Sequence, residues 1–157
     1  MQWAALIALA IVALDQLTKW LVVRSLTPED TRVVIAGFFS LVNVSNTGAA
    51  WGIFKDNNLI LTVVSILAVI GLYFFRHTFQ PHRAANRIAL GLIAGGIVGN
   101  LIDRIRVGYV IDFLLFYIQQ YRWPAFNIAD SAICVGVALF IIVSWRSDRS
   151  PAKTAPA

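Results

Sequence analysis

The segment WPAFNIADSAICVGVALFIIVSW, residues 123–145, is long enough to cross a bilayer and contains a single charged side chain, that of Asp130. A membrane-spanning helix needs about 20 predominantly apolar residues, and this segment meets that length. An ionisable side chain inside such a helix costs roughly 3 kcal/mol at the bilayer centre on insertion scales, so its presence indicates a function. The segment therefore predicts a transmembrane helix that carries a functional carboxylate.

The remainder of the chain is similarly apolar. It has 157 residues, of which 59% are hydrophobic and 13% charged, and its mean hydropathy is +0.73. Soluble domains contain about 25% charged residues, so this composition predicts a polytopic membrane protein of the all-α class. We predict one domain, residues 1–146, followed by a disordered cytoplasmic tail, residues 147–157. Four transmembrane helices are predicted in the domain, at about residues 3–23, 59–75, 88–104 and 124–145.

Two connections between the predicted helices have a different character. Residues 31–36 and 38–44 are β-branched and aromatic runs separated by Gly37, which predicts a small extracytoplasmic β-sheet. Residues 107–122 are rich in aromatic side chains and are predicted to form an outer loop, because aromatic rings settle at the headgroup level of a bilayer. A plain aromatic belt without further function is the alternative interpretation of that loop.

The distribution of basic residues predicts the orientation. Six of the 13 Lys and Arg residues lie around the connection between the second and third helices or in the tail, with only Asp148 among the acids near them. By the positive-inside rule, this connection and both termini face the cytoplasm. No basic run is interleaved with stacking aromatic residues, so nucleic acid is not an expected partner. The six residues are Arg76, Arg83, Arg87, Arg146, Arg149 and Lys153.

Helix geometry predicts that polar residues from three helices meet at one level. At a rise of about 1.5 Å per residue, Asp15 and Asn100 each lie about 18 Å above the cytoplasmic ends of their helices. Arg104 lies about 24 Å up the third helix and Asp130 about 20 Å up the fourth, which places all four in the outer leaflet. Three pairs each share a helix face: Asp15 with Lys19, Asn100 with Arg104, and Asn127 with Asp130.

A second carboxylate, that of Asp112, stands upstream of Asp130 at the mouth of the same helix. His77 and His82 both fall in the predicted cytoplasmic connection, so neither a histidine-assisted nucleophile nor a zinc site is expected at the outer level. Two close carboxylates cannot both ionise cheaply, and they would share one proton. We therefore predict aspartic peptidase chemistry at Asp112 and Asp130, without a metal or cofactor.

Other interpretations of the intramembrane charges stay open at this point. Ion pairs can join helices without any catalytic part, and this applies to Asp15 with Lys19 and to Asp103, which is next to Arg104. A small proton-coupled transporter or channel subunit would also place carboxylates in the membrane. Such folds usually contain repeats with a site at the midplane, and the sequence has no repeat. A purely structural assembly factor is a third possibility.

Five motifs resemble, in order, those of the bacterial lipoprotein signal peptidases (signal peptidase II), and the resemblance extends over about residues 10–145. One position departs from the pattern, because Trp51 stands where that family often has Phe. The motifs are Asp15-Gln16 with Lys19, NTGAAW at residues 46–51, GGIVGNLIDR at residues 95–104, GYVIDF at residues 108–113 and FNIADS at residues 126–131.

The resemblance implies an inner-membrane aspartic endopeptidase with its active site toward the outer leaflet. Such an enzyme removes signal peptides from lipid-modified prolipoproteins by cutting before the diacylglyceryl-modified cysteine. The resemblance also implies that Asp112 and Asp130 form the catalytic dyad, that membrane lipids and lipidated precursors are the partners, and that globomycin-type cyclic peptides inhibit the enzyme. The residues implied to support the site or hold the substrate are Asp15, Asn46, Asn100, Arg104 and Asn127, with Lys19 and Gly48 standing in the same motifs.

Overall fold

Four long apolar helices make up most of the chain. The computed structural model describes residues 2–28, 30–48, 53–77 and 84–148. Its helices are α1 (Gln2–Ser25), α2 (Asn58–Phe75), α3 (Ala84–Arg106) and α4 (Ile128–Asp148). Each is long and apolar enough to cross a membrane, which confirms the predicted four-helix architecture. Several predictions lie outside the described residues: those on His82 and Arg83, on residues 49–51 of the NTGAAW motif, and on the tail from residue 149 onward.

Helix α3 is the central helix, and small residues allow its neighbours to approach closely. A Cβ atom at Gly91 would lie 2.7 Å from the carbonyl oxygen of Ala4, and one at Gly95 would lie 2.8 Å from that of Ala8. Gly96 packs in the same way against the carbonyl oxygen of Ala129 at the start of α4. Such glycine contacts are how helices pack tightly in membranes, where no hydrophobic driving force operates between them. Both α1 and α4 are thereby held against α3.

Helix α2 lies at the edge of this bundle. Within the described part of the chain it packs against α3 alone among the helices, and Leu61 is its one buried residue. Most of its apolar side chains are therefore exposed on the surface of the protein, as expected of a helix surrounded by lipid.

The connections from α1 to α2 and from α3 to α4 together form a four-stranded antiparallel sheet. Its strands, in spatial and chain order, are β1 (Thr31–Ile35), β2 (Phe39–Asn46), β3 (Val110–Ile118) and β4 (Tyr121–Arg122). The small predicted sheet is confirmed. The aromatic-rich segment that was predicted as a loop contributes β3 and β4 to it, because β3 pairs with the distant strand β2. Strand preference depends on such neighbours, so a strand with a distant partner is hard to recognise from its own sequence.

The aromatic side chains of the sheet attach it to the segment that leads into α4. The Phe116 ring stacks on Phe39 and Phe126, with centroids 4.8 and 5.8 Å apart. The backbone of Phe126 exchanges hydrogen bonds with Leu114 of β3, of 2.8 and 3.1 Å. This contact brings β3 alongside the N-terminus of α4.

Helix α4 begins at Ile128, later than the predicted position near residue 124. The preceding residues Trp123 and Phe126 form backbone hydrogen bonds with β3 instead, and the helix begins after them. Asp130 therefore lies in the first turn of α4 rather than in its interior.

Candidate active site

Asn127 and Asp130 cap the N-terminus of α4. The Asp130 N–H donates a hydrogen bond of 2.9 Å to Asn127 Oδ1, and the Asn127 N–H donates one of 3.2 Å to Asp130 Oδ2. This reciprocal arrangement is a capping box, in which the residue before the helix and the third helical residue satisfy each other's backbone donors. The capping box fixes one oxygen of the Asp130 carboxylate at the end of the helix.

Asp112 is buried in β3, with 1% of its surface exposed, and both of its carboxylate oxygens accept hydrogen bonds from side-chain amides. Asn127 Nδ2 donates to Oδ1 and Asn46 Nδ2 donates to Oδ2, each at 2.8 Å. Burial and then the charge of Asp130 raise the pKa of Asp112 to about 7, although the two amides and the charge of Lys19 act in the opposite direction. Asp112 therefore holds its proton up to near-neutral pH.

The side chain of Asn127 is the link between the two aspartates. Its nitrogen bonds to the Asp112 carboxylate, and its oxygen accepts the backbone N–H of Asp130. Asn127 is fully buried, so both of its polar atoms need partners inside the protein. The two carboxylates that the sequence predicted to act together are thus held beside the same amide.

Asn100 of α3 holds the other oxygen of Asp130. Its Nδ2 donates a hydrogen bond of 2.7 Å to Asp130 Oδ1. Its own oxygen accepts two hydrogen bonds, of 3.2 Å from Lys19 Nζ and 3.1 Å from Asn127 Nδ2. The carboxylates of Asp112 and Asp130 consequently each accept hydrogen bonds at both oxygens.

Lys19 and Asp15 of α1 lie behind this group and form a buried ion pair of 2.8 Å. Lys19 also lies 2.7 Å from Asp103 of α3. The sequence left open that these three charged residues only join helices through ion pairs. Their direct contacts with one another agree with that interpretation. They are nonetheless contiguous with the site, because Lys19 bonds to Asn100 and Asp15 accepts the N–H of Ala129.

Asn46, Gly48 and Arg104 line the other side of the carboxylates. The Gly48 N–H donates a hydrogen bond of 2.9 Å to Asn46 Oδ1, which orients the Asn46 amide so that its nitrogen faces Asp112. The Arg104 guanidinium is half-buried, and within the described residues its hydrogen bonds are long contacts of 3.5 Å to the carbonyl oxygens of Gly48 and Asn100. It lies within the electrostatic field of the nearby Asp130 and Asp112 carboxylates. Arg104 therefore has guanidinium donors that the described residues do not use at short distance.

Gln16 also contacts this group of residues, and the sequence did not single it out. Its Nε2 atom donates to Asp103 Oδ1 at 2.9 Å and lies 3.3 Å from both Asp15 Oδ2 and the carbonyl oxygen of Gly99. The signal for it was its place in the Asp15-Gln16 motif. A neutral glutamine is common on the surface of helices, so its residue type alone does not indicate a site.

The arrangement can perform general acid and base chemistry. It offers two carboxylates that both accept hydrogen bonds from Asn127, and burial and the charge of Asp130 raise the pKa of one of them, Asp112, to about 7. Paired titratable groups in different environments are how proteins assign acid and base roles to chemically identical side chains.

A model of the family described as signal peptidase (SPase) II matches residues 7–146 of the chain. The lipoprotein signal peptidase of Syntrophotalea carbinolica is 46% identical over 144 residues, which cover 90% of this chain and 89% of that protein. The lipoprotein signal peptidase of Symbiobacterium thermophilum is 46% identical over 138 residues, covering 87% and 91%.

Solved structures resemble the whole fold. One, described as a bacterial membrane enzyme solved by the in meso method at 2.3 Å resolution, superposes with a TM-score of 0.87 at 33% identity. The superposition covers 100% of this chain and 95% of the other. A second bacterial membrane enzyme, solved by the same method at 1.9 Å resolution, superposes with a TM-score of 0.77 at 32% identity and covers 99% and 96% of the two chains.

Proposed function

Because the chain belongs to the lipoprotein signal peptidase (signal peptidase II) family, we propose that Asp112 and Asp130 are the catalytic dyad with which it cleaves prolipoproteins. The family is one of aspartic endopeptidases, and the chain is a multi-pass membrane protein. The alternative of a transporter or channel subunit is not supported by any of these relationships. The observation that carries the dyad assignment is that both carboxylates accept hydrogen bonds from the buried residue Asn127, Asp112 from its side-chain nitrogen and Asp130 from its backbone N–H.

In the proposed mechanism the dyad shares one proton, which Asp112 holds at rest because its pKa is raised to about 7. Asp130 takes a proton from water as the water oxygen attacks the carbonyl carbon of the scissile bond. Asp112 donates its proton to the carbonyl oxygen, which yields a neutral gem-diol. Asp130 then protonates the leaving nitrogen, the C–N bond breaks, and Asp112 takes back a proton from the diol. The products are a carboxylic acid and an amine, and one proton remains on the dyad.

The remaining polar groups suit an extended peptide backbone. The guanidinium of Arg104 has donors beyond its long contacts to the chain, and it can bond to substrate carbonyl oxygens. Helices α2 and α4 both pack against α3 but, within the described residues, do not contact each other. The side of α3 that lies between them is therefore not covered by another helix. A substrate whose lipid chains remain in the bilayer could enter from that side.

The proposed orientation places both termini in the cytoplasm and the dyad toward the outer leaflet. The clustered basic residues support it, among them Arg76 after α2 and Arg87 at the start of α3. The dyad lies at the opposite ends of α3 and α4 from these residues, beside the sheet. We propose cleavage before a diacylglyceryl-modified cysteine, with membrane lipids around the site, and inhibition by globomycin-type peptides.

The experiment is to purify Asp112→Asn and Asp130→Asn variants and to measure the shortening of a lipidated precursor. Each variant is expected to be inactive yet folded, and the double variant is expected to be no worse than either, because the dyad works as a unit. Asp30→Asn, at an exposed position away from the dyad, is the control. Turnover by either dyad variant would contradict the assignment. Cleavage activity is also expected to persist in EDTA. If EDTA abolished the activity and added zinc restored it, the metal-free reaction would be refuted.

A further inference from the structure

A buried lysine joins two carboxylates behind the proposed dyad. Lys19 Nζ lies 2.8 Å from Asp15 Oδ2 and 2.7 Å from Asp103 Oδ2, and all three residues are at most 3% exposed. Buried ion pairs contribute little net stability, because desolvation of the charges offsets their attraction. Three buried charges in a small membrane protein therefore indicate a purpose other than stability. We refer to Lys19, Asp15 and Asp103 as the Lys19 clamp.

The clamp holds the backbone beside Asp112 through Asp103. The Ile111 N–H donates a hydrogen bond of 3.1 Å to Asp103 Oδ2, the same oxygen that contacts Lys19. Ile111 immediately precedes Asp112 in β3. The position of Asp112 along its strand is thus tied to α3 and, through the lysine, to α1.

The clamp holds the backbone beside Asp130 in the same way through Asp15. The Ala129 N–H donates a hydrogen bond of 2.9 Å to Asp15 Oδ1, and Ala129 immediately precedes Asp130. This N–H belongs to the first turn of α4, where backbone donors have no partner within the helix. A carboxylate from α1 therefore completes the cap of α4 and ties the position of Asp130 to the same lysine.

Lys19 also fixes the orientation of Asn100. An ammonium group has three donors and no acceptor, and those of Lys19 meet Asp15, Asp103 and the oxygen of Asn100 at 3.2 Å. Since the amide oxygen must face the ammonium, the Asn100 nitrogen must face Asp130, to which it donates at 2.7 Å. One buried cation consequently controls three contacts that converge on the dyad.

We infer that the Lys19 clamp sets the separation between the carboxylates of Asp112 and Asp130, and that Asp103 and Asp15 are positioning residues for the reaction. This inference rests on the proposed dyad. Each aspartate of the clamp accepts the backbone N–H that directly precedes one dyad residue, so a single ammonium group relates the two halves of the site. The clamp connects them across four elements, α1, α3, β3 and α4.

The separation of the carboxylates has a measurable signature. Two neighbouring acids titrate with two apparent pKa values, and these values lie further apart when the acids are closer. The singly protonated dyad is the active form, so the profile of kcat/KM against pH is a bell whose width reports that separation. Other charged groups around the dyad can also shift the acidic and basic limbs of this pH profile. They are Asp15 and Lys19 on α1 and Asp103 and Arg104 on α3.

The experiment compares Asp103→Ala with Asp103→Asn in the purified full-length enzyme acting on a lipidated precursor. The alanine variant loses the acceptor for Ile111, so kcat/KM at its optimum is expected to fall about 10- to 100-fold. Its bell is expected to be narrower than that of the asparagine variant by about 0.5 pH unit or more. The asparagine variant keeps an acceptor oxygen and is expected to lose less than about tenfold. Its two limbs should both move to lower pH, because one negative charge has been removed.

The same pair of substitutions at Asp15 tests the clamp from the α4 side, and the same difference between alanine and asparagine is expected. Each single variant leaves Lys19 paired with the other aspartate, so no buried charge is left alone. Identical profiles for alanine and asparagine variants would mean that only charge matters, and the inference would be wrong. A uniform loss with unmoved limbs, or failure of both alanine variants to assemble, would assign the clamp to folding and would also overturn it. The dyad is judged separately by Asp112→Asn, whose activity is independent of all these outcomes.

Discussion

The side-chain nitrogen of Asn127 donates a hydrogen bond of 2.8 Å to the carboxylate of Asp112, while its side-chain oxygen accepts the backbone N–H of Asp130 and caps α4. A single residue therefore has two separable tasks. One task is local and concerns the stability of α4, whereas the other concerns the geometry of the dyad.

Substitutions at Asn127 are expected to separate these tasks. Asn127→Ala should lose both the helix cap and the donor to Asp112, which lowers stability by about 1 kcal/mol and activity severely. Asn127→Ser keeps an N-cap oxygen, so it should regain most of that stability while remaining poorly active. Thermal unfolding and precursor cleavage by the two purified variants would measure this. A serine variant with the activity of the parent would show that the amide donor to Asp112 is unimportant.

Protonation of Asp112 is expected to make stability depend on pH. Its pKa is raised from 3.8 to about 7, first by burial and then by the charge of Asp130. The folded protein therefore binds more protons than the unfolded chain between these values, and the stability from neutral Asp112 is fully present below about pH 4. This contribution is lost as the pH rises through about 7. The free energy of unfolding that it adds at low pH relative to high pH is about 4 kcal/mol at most.

The Asp112→Asn variant tests that dependence, because its side chain stays neutral at every pH. It should unfold at a higher temperature than the parent at pH 8 and at a similar temperature at pH 4. Asp30→Asn, at an exposed position, should show no such pH-dependent difference. Unfolding in detergent can be followed by the fluorescence of the tryptophans. A difference between Asp112→Asn and the parent that is the same at pH 4 and pH 8 would contradict the raised pKa.

Close packing at Gly99 is expected to be needed for activity. A Cβ atom there would lie 2.8 Å from Asp15 Oδ2 and 3.2 Å from the Cβ of Ala129, so Gly99→Ala should displace the carboxylate that caps α4. We expect a loss of activity of about tenfold or more, by misplacement of Asp130. Gly71→Ala on α2 is the matched control, since nothing lies within 4 Å of its Cβ position. Equal activity of the two purified variants would indicate that the contact at Gly99 relaxes freely.

The orientation in the membrane can be tested with single cysteines in a Cys134→Ala background. Position 120, in the turn between β3 and β4, is expected to react with an impermeant thiol reagent added to intact spheroplasts. Position 77, just after α2, is expected to be protected until the membrane is opened. Both Gln120 and His77 are exposed, so burial does not account for a difference between them. Labelling of position 77 in intact spheroplasts would overturn the positive-inside assignment.

Much of the fold followed from composition and periodicity. Apolar runs of the length of a bilayer indicated four helices, because the membrane imposes its thickness on every segment that crosses it. The spacing of Asp15 with Lys19 indicated a shared helix face, and the two residues form an ion pair. Local patterns of this kind are visible in sequence because they involve residues within one or two helical turns.

The isolated charge of Asp130 in an apolar segment, together with Asp112 upstream, was enough to predict a carboxylate pair from the sequence alone. Only the tertiary structure decided what surrounds that pair. The pairing of β3 with β2 places Asn46 beside Asp112, and the bonds of Phe126 to β3 leave Asp130 in the first turn of α4. Contacts such as that of Asp103 with Ile111 and of Asp15 with Ala129 connect backbone atoms of one element to side chains of another. Every residue except proline has a backbone N–H, so the amino-acid sequence does not indicate which of these donors a distant carboxylate will bind.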